Sequence, residues 1–179
     1  MSASLPSNVY LDPALRRTPS LLNKRVVSVI VVGTPTSNGD FYHFRLSLVT
    51  EAGDAIRLDP TIHLKSKTDP LITILVIEYK HYMASHTPGT EPFHIPATAS
   101  YMATEICGLL VHVHKVNQYN FDEKGRGCRH WCAVVLDKLA QSRIVQYDVS
   151  TLYRQWEVSQ HLKLGSKVPM PRICGTFYT

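Results

Sequence analysis

"FYHFRLSLVTEAGDAIRLD", residues 41–59, decides the fold. Its first nine residues alternate. Tyr42, Phe44, Leu46 and Leu48 point one way, while Phe41, His43, Arg45 and Ser47 point the other. That period of two belongs to a strand with one buried face. "TEAGD" is a turn, and "AIRLD" (55–59) is short enough to return as the hairpin partner. Upstream, "RVVSVIVV" (25–32) is β-branched and bounded by Gly33 and Pro35, which makes it a buried strand. Downstream, "LITILVIEYKHY" (71–82) is apolar on both faces and reads as a central strand.

From there the pattern changes period. Residues 84–96 hold three prolines and a glycine and read as a loop. Residues 97–116 suit a helix with Met102, Ile106, Leu109, Leu110 and Val113 as its apolar stripe, although the tail "LLVHVHKV" fits a strand as well. A loop (117–127) leads to a helix from about Cys128 to Leu139, and another is expected over 148–162 with Leu152, Trp156 and Val158 inward. The final segment is extended. Strands in one block and helices in another indicate α+β, an antiparallel sheet of about four or more strands packed by helices. The organisation is a single domain over 25–179, preceded by an N-terminal arm (1–24) that packs on the surface or stays loosely ordered.

A chain of 179 residues buries enough surface to fold without disulfides or metal. The net charge of +5 is scattered, with no basic run, so no nucleic-acid partner is expected. The N-terminus lacks the charged and apolar regions of a signal peptide, and no apolar run is long enough for a membrane span. Four cysteines in such a chain point to reduced thiols and a cytoplasmic protein. Cys128 and Cys132 stand four apart, but no second Cys/His pair has finger-like spacing, so neither metal nor cofactor is expected. Oligomeric state is left open.

The chemistry concentrates in "GRGCRHWCAVVLDKL", residues 125–139. A thiolate is favoured at a helix N-terminus, where unpaired N–H groups and the helix dipole meet negative charge. Cys128 falls there after a glycine-rich turn, flanked by Arg126 and Arg129. The alternative is that Cys128 is a space-filling core residue, the commoner fate of free cysteine. A base is needed, and His43 on the less apolar face of its strand is the best candidate. The group orienting it would come from the next strand, where Arg57 and Asp59 lie, with His63 just beyond. Arg45 shares the face of His43. His130 points to another helical face and suits a local hydrogen bond. Trp131 and Trp156 read as core anchors, and Cys107, Cys132 and Cys174 as core thiols. His112 and His114 would share a face if their segment were a strand.

Two resemblances add to these readings. "GCRHWC" resembles the asparagine–cysteine–x–histidine–phenylalanine motif of circularly permuted papain-fold enzymes, such as the lecithin:retinol acyltransferase-like and PPPDE-like proteins. "HFRLSL" (43–48) is similar to the histidine strand that precedes the cysteine there. The resemblance implies a permuted papain-like layout, Cys128 as nucleophile, His43 as base, and supporting roles for His130 and Trp131. Gly127 departs from the motif by replacing its asparagine, and the third polar residue has no single match. The same strand and "GRGCRHW" are also similar to a group of fungal proteins with a His–aromatic–Arg strand and a Gly–Cys–Arg–aromatic–Trp helix start, which implies no established activity.

Three functions fit. One is a cysteine hydrolase or acyltransferase acting on an amide, thioester or ester of a small-molecule or acyl substrate. The second is a small-molecule cyclase or isomerase of a secondary-metabolite pathway, using His43 and a carboxylate without covalent catalysis. The third is an inactive binding protein of the same fold.

Overall fold

The computed structural model describes residues 5–37, 39–62, 73–81 and 90–178. Six strands form one sheet: β1 (Val9–Leu11), β2 (Arg25–Pro35), β3 (Tyr42–Thr50), β4 (Ala55–Ile62), β5 (Thr73–Lys80) and β6 (Phe93–Met102), in the order β1-β5-β4-β3-β2-β6. Every neighbouring pair is antiparallel except β1 and β5. The helices are α1 (Pro13–Arg17), α2 (Ala103–Gly108), α3 (Cys128–Gln141) and α4 (Val149–Leu164). A two-residue ladder joins β7 (Tyr119–Asn120) to β8 (Thr176–Phe177). The fold is the expected α+β type.

The period of two in β3 builds the core. Leu46 and Leu48 are fully buried beside Val29 and Val31 of β2 and Ile56 and Leu58 of β4. Against this face packs α3, whose Trp131, Cys132, Val135, Leu136 and Leu139 are all fully buried. The Trp131 indole N–H donates to the Val116 carbonyl at 2.7 Å, so the buried ring leaves no polar atom unpaired.

Five expectations need correction. Residues 93–96 are strand rather than loop: Phe93 and Ile95 are buried while His94 and Pro96 face out, and an edge strand tolerates proline. Residues 97–102 continue that strand and are not helical. The ladder jumps from Ser28↔Pro96 to Val26↔Tyr101, so a bulge takes up the residues between, and the helix starts only at Ala103. The buried stripe of α4 is Val149, Tyr153, Glu157 and Gln160, whereas Val158 is 42% exposed. Cys174 is exposed, because the tail alternates: Ile173, Gly175 and Phe177 turn inward while Cys174 and Thr176 turn out. The segment holding His112 is a wide π-type turn (Leu109–Val113) running on from α2, so His112 and His114 do not share a strand face.

The stretch before Arg25 joins the domain. β1 pairs with β5 from Val9↔Leu75 to Leu11↔Ile77, and Leu15 of α1 is fully buried in the common core. The Asp12 side chain caps α1 and also accepts from the Tyr79 N–H of β5 at 2.8 Å. Leu15→Ala is therefore expected to cost about 2–5 kcal/mol in denaturant unfolding, as for a core leucine. A loss under about 0.5 kcal/mol, the range of surface substitutions, would show that α1 is only an attached arm.

Candidate active site

The site begins where two strands part. The β3–β4 ladder runs from Val49↔Ala55 to Leu46↔Leu58 and stops. Two residues further the register would set Phe44 opposite Pro60, which has no N–H to donate. The edge of β3 is left open there, and α3 delivers Cys128 into the opening. The Phe44 N–H donates to the Cys128 Sγ at 3.3 Å, and the Tyr42 carbonyl lies 3.9 Å from the same sulfur. Between them in sequence, His43 turns to the sheet's other face. Its Nε2 is 2.6 Å from Asp59 Oδ1, and it lines the same cleft as the Cys128 sulfur. Arg45 Nε donates to the second Asp59 oxygen at 2.6 Å, and Arg45 also bonds the Thr34 hydroxyl. Both carboxylate oxygens are thus engaged, which holds the imidazole in one orientation.

Cys128 is the first residue of a 14-residue helix, and Gly127 precedes it at φ 129°. A Cβ at Gly127 would lie 2.6 Å from the Tyr119 hydroxyl and 3.0 Å from the Gly175 N. Only glycine fits both the conformation and the space. The Tyr119 hydroxyl then donates to the Gly127 carbonyl at 2.8 Å and accepts from the Gly175 N–H at 2.9 Å, tying the helix start to the tail.

The thiol faces a cleft of about 290 Å³. Phe41, Phe44, Pro169 and Ile173 supply apolar wall, and Lys124, Arg126, Arg129 and Lys167 supply positive charge. Cys128 itself is 8% exposed, so a reagent reaches the sulfur only through this opening.

Residues 28–178 match the model of a domain of unknown function, DUF7770. The chain belongs to that family. No curated protein and no solved structure matches it. The match runs from β2 to β8 and so takes in His43, Asp59 and Cys128 of this DUF7770 chain.

Burial alone would lower the His43 imidazole, but the Asp59 carboxylate and the Cys128 sulfur beside it hold it up to about 9. Burial pushes the Asp59 carboxyl up, and His43 and Arg45 overcome that and hold it below the ordinary range. At neutral pH the pair is an imidazolium against a carboxylate. Cys132, one turn along α3, is fully buried, which keeps its thiol well above the usual range. Burial pushes Cys107 up to about 12.

Of the residues singled out from sequence, the structure brings Cys128, His43, Asp59 and Arg45 together. Arg57 does not join them: its Nε donates to Glu78 on β5 at 2.8 Å. His130 points away from the cleft, with Nδ1 3.3 Å from the Tyr119 hydroxyl and its ring against Phe177. Trp131 is core. His63 lies outside the described residues. Arg129 had stood out only as charge beside the thiol. It is buried instead, with Nε 3.0 Å from a fully buried Glu157 that also takes two bonds from Arg172. Glu157 lies on the buried face of α4 between Tyr153 and Gln160, and nothing local in the sequence marks its partners. Among the described residues no group of three or more His, Cys, Asp or Glu side chains is placed to hold a metal ion.

The sign of the pH dependence follows from these shifts. His43 rises from 6.5, so its contribution to stability is complete below about pH 6.5 and is lost as pH climbs through about 9. Asp59 is lowered, so its contribution is present above its ordinary value of 3.8 and is lost in acid. The stability gap between wild type and His43→Gln is therefore expected to be widest between these ordinary values and to shrink towards pH 9. A gap that stays level from pH 6.5 to 9 in denaturant titrations would contradict the assigned pair.

Proposed function

We propose that this protein is a thiol-dependent hydrolase or acyltransferase, with Cys128 as nucleophile, His43 as proton carrier and Asp59 as the residue that orients His43. The observation carrying the proposal is that Cys128 and His43 line one cleft, with His43 held by Asp59 at 2.6 Å. A core cysteine has no need of such a partner. The order, a strand histidine before a helix-start cysteine, is also the one found in permuted papain-fold enzymes, and it supports the same chemistry here.

The cycle balances with these groups alone. The Cys128 thiolate attacks the carbonyl carbon of an amide, ester or thioester, and the electron pair of the C=O bond moves to oxygen. Backbone N–H groups of the first turn of α3, which helix geometry leaves without intrahelical partners, meet that oxygen. The tetrahedral intermediate collapses, the bond to the leaving amine, alcohol or thiol breaks, and His43 gives that group its proton. A thioester now joins the acyl group to Cys128. Water or an acceptor attacks it, His43 takes the incoming proton, and the carboxylic acid or new acyl product leaves as the thiolate returns. Asp59 holds the imidazole in position throughout and does not itself exchange a proton. Arg45 serves by fixing the second Asp59 oxygen. Four free thiols fit work in the cytoplasm, and no helix among the described residues is long and apolar enough to cross a membrane.

The test is para-nitrophenyl acetate, an activated ester. Wild type should release nitrophenolate in a burst that matches the protein concentration, with one acetyl group found on Cys128 by mass spectrometry. Cys128→Ala should abolish the burst, and His43→Ala should slow it by about a hundredfold to ten-thousandfold. Activity that survives Cys128→Ala but not His43→Ala would replace this reading with non-covalent acid–base chemistry. No acylation of any variant would leave a binding protein.

A further inference from the structure

Resting on that reading, we infer that the substrate carries an anionic group, a carboxylate or a phosphate, close to the bond that is cleaved. The buried network behind the cleft has one positive charge too many. Arg129, 5% exposed, and Arg172 share one carboxylate, Glu157, which is fully buried. Two guanidinium groups on one carboxylate leave an excess of one, with Arg129 and Glu157 buried and Arg172 part-exposed. Arg129 spends Nε on Glu157 and Nη2 on the Pro169 carbonyl, while Nη1 is buried with no hydrogen-bond partner among the described residues. Arg129 immediately follows the nucleophile and lines the cleft.

The rim adds to this. Arg126 is offset by Asp122 at 2.7 Å, but Lys124 and Lys167 are exposed and have no side-chain partner among the described residues. No described carboxylate lines the cleft. Asp40 and Glu123 flank its rim in sequence without entering it. Two lysines at the mouth attract an anion on approach, and the Arg129 guanidinium in the cleft lining adds positive charge behind them. A neutral substrate would leave that surplus charge unanswered.

Iodoacetate and iodoacetamide test the inference without knowledge of the natural substrate. Each transfers a carbon to the Cys128 sulfur as iodide leaves, and they differ in a carboxylate against a neutral amide. Because His43 also attracts anions, the informative quantity is the change in their rate ratio when the rim charges are removed. Lys124→Gln and Lys167→Gln, both at exposed positions, should each lower the iodoacetate rate about twofold at low ionic strength, and together about fourfold. The iodoacetamide rate is the reference for that fall and should drop by less, while Lys138→Gln, outside the cleft, should leave the ratio as in wild type. Inorganic phosphate, compared with chloride at equal ionic strength, separates the two anions: protection of Cys128 that disappears in the double variant assigns phosphate, and its absence beside an iodoacetate effect assigns carboxylate. A rate ratio equal in wild type and double variant overturns the inference. If iodoacetamide labels Cys128 no faster than an ordinary thiol, the proposed function has failed and this inference falls with it.

Discussion

The chemistry of this fold depends on a missing hydrogen bond. Pro60 has no N–H for the Phe44 carbonyl that the register would set opposite it, the β3–β4 ladder ends at Leu46 and Leu58, and the Phe44 N–H lies beyond that end. A buried amide without a partner is costly, and here the acceptor is the sulfur of Cys128. Everything else at the site follows from seating that sulfur. Trp131 and the apolar stripe of α3 clamp the helix to the sheet, and Gly127 allows the turn that brings the chain into the gap. His43 and Asp59, on the two strands that have parted, close across the gap at 2.6 Å.

A second constraint comes from the other side of α3. Glu157 occupies a position that an apolar residue would normally fill, and its charge is tolerated because Arg129 and Arg172 reach it. Arg172 lies on the tail next to Ile173, so the same network that joins α3 to α4 also brings the tail over the cleft. The Tyr119 hydroxyl repeats the arrangement one layer away by joining the Gly127 carbonyl to the Gly175 N–H. The tail beside the cleft is thus held at two points, both of them polar.

Much of this was legible in the residues, for reasons that can be named. Strict alternation over 41–49 marks a one-faced strand wherever it occurs, and a glycine-rich turn before an apolar helix places its first residue within one position. Taken singly, His43 and Cys128 suited structural roles, and it was the resemblance to the permuted papain-fold order that paired them. Asp59 could not be separated from Arg57 by sequence, since both lie on the same strand face; only the register against β5, which gives Glu78 to Arg57, divides them. Residues 93–102 misled because a bulged edge strand has no clean period, and the apolar spacing of the following helix extends back into it. Neither the Arg129–Glu157–Arg172 network nor the parting at Pro60 leaves a local pattern, because each is a meeting of distant segments.

The central claim is that Cys128, His43 and Asp59 form one coupled unit rather than three separate residues. Its most direct test is the titration of the His43 imidazole by NMR, in wild type and in Asp59→Asn. The account predicts a wild-type midpoint near 9, with burial holding the imidazole well down once the carboxylate is gone. A wild-type midpoint near the ordinary 6.5, unmoved by Asp59→Asn, would contradict it.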